Sequence, residues 1–163
     1  MPKVIYLLPC EHFITSESGS VSLISIIQEL TVEIPRGSGI PAADAYVPKE
    51  WVIVNVVRHS DRSEIGKKFI NHVEVIKQDG TGLVSKTPFV LMENGYLNKV
   101  NASGIPISPP GALSVKLWLY EEGQEKPTVP NATYDEISIA YKTVELTSPE
   151  PEVPFVSGMV LIP

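Results

Sequence analysis

The sequence predicts an all-β protein, an antiparallel β-sandwich of about seven to nine strands. Three observations carry that prediction. After the turn at Pro109-Pro110-Gly111, Leu113, Val115, Leu117 and Leu119 alternate with Ser114, Lys116, Trp118 and Tyr120, the period-two pattern of a half-buried strand. The chain contains 15 prolines and 11 glycines, and they fall mostly between apolar runs, where turns need them. The runs are short and recur at the turn spacing of a sandwich rather than at helical length.

The elements follow in order. Residues Lys3 to Thr15 form the first strand, apolar on both faces through Val4-Ile5-Tyr6-Leu7-Leu8, as a strand buried on two sides requires. Pro9 cannot donate to a ladder, so an edge or a bulge is expected there. A turn at Ser16-Glu17-Ser18-Gly19 leads into a second strand from Ser20 to about Ile34. Leu23, Ile26, Ile27 and Leu30 also fit helical spacing. The β-branched residues, three serines and the following Thr-Val-Glu-Ile favour strand over helix there.

Residues Pro35 to Pro48 hold three prolines and two glycines, which excludes a regular element and predicts a long loop, either a plain sheet-to-sheet crossover or a functional segment. Trp51 to Arg58 is valine-rich and apolar on both faces, a central strand. His59 to Ser63 turns the chain into a strand from Lys67 to Lys77. Asp79-Gly80 opens the next turn, followed by a strand from Leu83 to Met92 that Pro88 interrupts. Glu93-Asn94-Gly95 leads to a more polar strand from Tyr96 to Ile107, then to the alternating run. A polar loop from Glu121 to Thr133 precedes a last strand from Tyr134 to Leu146. One domain, residues 1–146, is expected, with a proline-rich tail over 147–163. The tail ends in Phe155-Val156-Ser157-Gly158-Met159-Val160-Leu161-Ile162-Pro163, too apolar for a solvated end. It is expected to pack back on its own sandwich or to add a strand to another chain.

Composition narrows the function. With 43% hydrophobic and 20% charged residues in 163, the chain has globular usage and length for a sizeable core. A net charge of −6 argues against a nucleic-acid or anionic-membrane surface. The densest basic group, Arg58, Arg62, Lys67 and Lys68, is interrupted by Asp61 and Glu64 and reads as a solvated edge. Cys10 is the only cysteine, so an intrachain disulfide is excluded and a reducing, cytoplasmic setting is expected. The N-terminus reads as a poor signal peptide, and no apolar stretch reaches the ~18 residues of a membrane span.

Chemistry-bearing residues are sparse. Cys10 and His12 share one face of a strand and form the weak metal candidate, but a zinc site needs about two more ligands. Cys10 with His59 or His72 and Asp61 supplies the residue types of a thiol nucleophile without its signature. No nucleophile elbow, phosphate loop or His-Glu-x-x-His is present, and Asp44, Asp61, Asp79 and Asp135 stand singly, unlike calcium ligands. No metal or cofactor is expected. Trp118, Tyr120, Trp51 and Tyr141 are the aromatic binding candidates. Trp118 and Tyr120 lie on the polar face of their strand, which is either covered or sticky.

Val-Ile-Tyr-Leu-Leu-Pro-Cys-Glu-His-Phe-Ile, a glycine turn, Ser-Val-Ser-Leu-Ile-Ser-Ile-Ile-Gln-Glu-Leu, the later Lys-Gln-Asp-Gly turn and Pro-Pro-Gly-Ala-Leu-Ser-Val-Lys-Leu-Trp-Leu together resemble a family of bacterial proteins classed as a domain of unknown function. The resemblance covers most of residues 1–146; Pro9 and the proline-rich tail depart from it. It implies an immunoglobulin-like or C2-like β-sandwich of bacterial or phage origin and assigns no catalytic residue. The expected function is a non-enzymatic binding or assembly module. Its partner is a protein or a second copy, engaged through Trp118, Tyr120, Trp51 or the tail residues Phe155, Val160, Leu161 and Ile162. The alternative is a sandwich hydrolase or small-ligand binder working from the sheet face or apical loops.

Overall fold

The computed structural model describes residues 1–17, 21–42, 44–80, 82–107 and 110–145. Pro109, the tail and its residues Phe155, Val160, Leu161 and Ile162 lie outside them. Nine strands occur among the described residues: β1 (Lys3–Thr15), β2 (Val21–Ile26), β3 (Glu29–Pro35), β4 (Tyr46–Arg58), β5 (Lys68–Ile76), β6 (Gly82–Val90), β7 (Tyr96–Pro106), β8 (Gly111–Glu121) and β9 (Ala132–Val144). The only helical element described is a single 3-10 turn at Arg62–Glu64. The strands form two sheets, ordered β2-β1-β4-β7 and β3-β9-β8-β5-β6, which pack face to face as a β-sandwich.

One pairing departs from a wholly antiparallel design: β3 runs parallel to β9. The reason lies in residues 21–34, where the structure has two strands and not one. Ser25 takes a left-handed φ of 55°, and the chain leaves the first sheet at Ile27. The Ile27 amide donates to Pro9 O at 3.0 Å, and the Ser138 amide donates to Gln28 O at 2.8 Å, so adjacent residues hydrogen-bond to different sheets. The helix-like spacing of Leu23, Ile27 and Leu30 records this change of sheet. Leu23 packs on an outer cluster, while Ile27 and Leu30 pack on the core between the sheets.

The order β1·β4·β7 against β9·β8·β5·β6 corresponds to A·B·E against G·F·C·C′ of an immunoglobulin-like sandwich. No described strand fills the D position beside β7. Pro9 sits where the β2 ladder ends, as its missing N–H requires. β2 pairs with β1 only from Cys10 onward, so β1 from Lys3 to Leu8 has β4 on one side alone. At Pro9 only the carbonyl is used on the other side, accepting from the Ile27 amide. Pro88 lies on the edge strand β6. The long proline loop is the crossover from β3 in one sheet to β4 in the other.

The core sits where the alternation places it. Leu113, Val115, Leu117 and Leu119 of β8 face Trp51, Ile53 and Val57 of β4, with Phe69, Val73 and Val75 of β5 beside them. Each fully buried aliphatic side chain there contributes about 1.5–3 kcal/mol.

Candidate functional site

The outer face of β8 and β5 brings five side chains together. The pairings Tyr120 opposite Ile70, Trp118 opposite His72 and Lys116 opposite Glu74 line them up on the surface away from the core. His72 Nδ1 lies 3.3 Å from Tyr120 Oη, and its ring centre lies 5.6 Å from that of Trp118. Its Nε2 approaches Glu74 Oε1 at 2.8 Å. That contact lies off the N–H axis, so Nε2 has no directed hydrogen bond. From the loop between β8 and β9, Lys126 reaches back: its Nζ bonds Glu74 Oε1 at 2.7 Å and stands 4.1 Å from the Trp118 ring centre.

Trp118 is 5% and Tyr120 8% exposed. Of the two readings of that face, covered or sticky, this burial favours covered, with Lys126 of this chain's own β8–β9 loop lying over Trp118. Burial and the nearby Lys126 charge push His72 below the usual histidine range, and Glu74 opposes them only in part. Burial alone would raise the Glu74 carboxyl. The bond from Lys126 and its charge, with His72, outweigh burial and hold it below the usual carboxylate range. The cluster thus pairs a neutral imidazole with an ion pair. Composition could not reveal it, because Lys126 is 52 residues from Glu74. The signal present was the shared outward face of His72 and Glu74 on one strand.

The other sequence candidates do not join this cluster. Trp51 is corrected from binding candidate to core residue: it is 1% exposed, and its indole Nε1 donates to Gly104 O at 3.0 Å. Tyr141 is half-buried against the core, with its hydroxyl on Ile107 O at 2.7 Å. Cys10 is fully buried with Val52 and Val54 on the outer side of the first sheet. Burial raises its thiol pKa, with Lys99 opposing, so it is a protonated thiol. His12 is exposed. Among the described residues no group of three or more His, Cys, Asp or Glu side chains is placed to hold a metal ion, and no helix is long and apolar enough to cross a membrane.

The sheet edges differ in a way the sequence did not show, because strand order was unknown. The four terminal strands are β2, β7, β3 and β6. β3 carries Glu29, Glu33 and Pro35; β6 carries Lys86 and Pro88; β7 carries Lys99 and Pro106. Charge and proline on an edge block pairing with another chain. β2, Val-Ser-Leu-Ile-Ser-Ile, has neither, and its Ile24 and Ile26 are exposed beside exposed Ile14 of β1. No family model matches the chain, and no curated protein sequence matches it.

Proposed function

We propose that this protein is a non-enzymatic binding and assembly module that pairs through the open edge of β2. The observation that carries the reading is the contrast among the four edges: β2 alone lacks charge and proline. An unguarded edge offers a row of backbone donors and acceptors to an incoming strand, with Ile24 and Ile26 supplying apolar contact. The self-complementary occupant is a second copy. Two β2 strands then pair antiparallel about a two-fold axis and join two four-stranded sheets into one. An extended segment of a protein partner uses the same edge.

Light scattering across a concentration series tests this. The parent chain is expected to form a dimer, and Ile24→Lys, an exposed position, to be monomeric with unchanged thermal stability. A parent chain that stays monomeric at every concentration and shows no β2 amide protection overturns the self-pairing.

A further inference from the structure

Inward-facing positions on β6 and β7 are not all covered. Phe69 of β5 pairs with Phe89, Val73 with Ser85 and Val75 with Leu83. Since Phe69, Val73 and Val75 face the core, Leu83 and Ser85 point into the sandwich. Leu83 is nonetheless 49% exposed. Val100 and Ala102, opposite the core residues Ile53 and Trp51, are only half-buried. At one end β6 and β7 close on each other, with Phe89 stacked on Tyr96 at 4.1 Å between ring centres. Toward the other end they part.

Two adjoining cavities fill the gap. One of about 190 Å³ reaches the core residues Ile53, Val73 and Val75. One of about 360 Å³ opens at Tyr46, Gly104 and Pro106. Both share Leu83 and Ser103, so they form a single apolar cleft in the place where an immunoglobulin-like sandwich carries its D strand.

We propose that the C-terminal segment Phe155–Ile162 docks in this cleft of its own sandwich as an added strand, antiparallel to the β7 edge. The segment has the composition for it. The odd positions are Phe155, Ser157, Met159 and Leu161 and the even ones Val156, Gly158, Val160 and Ile162. Each alternating set is thus apolar but for one small residue, close to what a strand between two buried surfaces requires.

Its tether has the length. Ser114 is level with Ile76 and Leu113 with Ile137, which puts Val144 seven residues beyond the level of Lys77 at the cleft mouth, roughly 23 Å along the strands. β9 and β6 are three strand spacings apart, roughly 14 Å, and the β7 edge lies in the facing sheet, roughly 10 Å away. The span to bridge is about 29 Å. The eleven steps from Val144 to Phe155 include Pro149, Pro151 and Pro154 and cover about 34 Å as a polyproline-type chain. The linker therefore reaches its own cleft with little to spare. A tether that reaches presents its end at millimolar effective concentration, well above that of a second molecule.

The test is run in the Ile24→Lys background, so that pairing through β2 and docking of the tail fail separately. In the full chain, Val160→Asp with Leu161→Asp removes the apolar segment without touching the nine strands. Hydrogen exchange of β7 amides from Asn98 to Gly104 is expected to quicken at least ~10-fold, and the thermal midpoint to fall by a few degrees. A synthetic peptide of residues 153–163 is expected to restore protection to the variant and leave the parent unchanged. Equal protection in parent and variant overturns the proposal. So does a parent that is a dimer and becomes a monomer on the double substitution, because the segment then fills a neighbour's cleft.

Discussion

Lys126 holds its ammonium 4.1 Å above the centre of the Trp118 ring while bonding the Glu74 carboxylate at 2.7 Å. One flexible side chain thereby closes the loop between β8 and β9 over the outer face of the five-stranded sheet. The loop is otherwise fixed near its far end, where Asn131 Oδ1 accepts from the Leu119 amide at 2.7 Å and the Asn131 amide donates to Leu117 O at 2.7 Å. Lys126→Met keeps most of the stem and removes the charge. Because the Lys126 side chain is about a third exposed, the expected cost is no more than about 1 kcal/mol in urea unfolding. Trp118 emission is expected to shift to the red, while Trp51, enclosed in the core, holds its emission. An unshifted spectrum would show that other groups cover the ring.

The same cluster sets a pH dependence. His72 is held below its ordinary value, chiefly by burial, so the unfolded chain takes up its proton first. The stability this provides is complete above about pH 6.5 and is lost as pH falls through the folded value. Glu74 is also held low; its contribution is complete above the usual carboxylate range and is lost below it. Both losses run in the acid direction, in two successive windows. Urea midpoints between pH 7.5 and 5 are expected to fall, and His72→Gln to flatten that first descent while leaving the second. A His72→Gln variant with the parent's slope from 7.5 to 5 would assign the first window elsewhere.

Gly104 supports the cleft mouth. It has a φ of +82°, and a Cβ there would lie 2.8 Å from Tyr46 Cδ2. Gly37 has a similar φ of +88° with nothing within 4 Å. Gly37→Ala therefore reports the backbone cost alone, about 1–2 kcal/mol. Gly104→Ala is expected to cost more, and Tyr46→Ala to recover the difference in a double-mutant cycle on urea unfolding. Equal costs at 104 and 37 would mean that the Tyr46 ring, mostly exposed, swings aside freely.

Strand existence was legible because local pattern decides it. The alternation around Leu113–Leu119 and the turns at Asp79-Gly80 and Asn94-Gly95 each act within a few residues. Strand order was not legible. Whether Leu23–Leu30 was one strand, a helix or a change of sheet depended on partners more than 100 residues away, such as Ser138 for Gln28. Trp51 and Trp118 look alike in composition. One faces the interior and the other faces the Lys126 loop, and only the assembled sheets separate them. The β2 edge and the β6–β7 cleft are properties of what stands next to a strand, which no single segment encodes.

The core also contains a polar layer that the sequence hid among apolar strands. Asn55 and Asn98 are direct partners across β4 and β7, and Asn71 faces inward from β5 beside Leu119. Asn55 and Asn71 are fully buried, and their side-chain amides make no hydrogen bond to protein groups. Asn71→Asp preserves the shape and adds a charge with no partner. It is expected to cost about 3 kcal/mol or more at neutral pH. Desolvation raises the folded pKa of the new carboxyl. The deficit is therefore absent near pH 3 and grows as pH rises from about 3.9 toward the raised value. Asn71→Leu, apolar and branched at the same atom, is expected to be neutral or to stabilise by about 1 kcal/mol. Urea unfolding of the three proteins at pH 3 and pH 7 checks both. If Asn71→Leu costs as much as Asn71→Asp at pH 7, the asparagine is held by hydrogen bonds within this layer, and the layer stabilises the sandwich instead of weakening it.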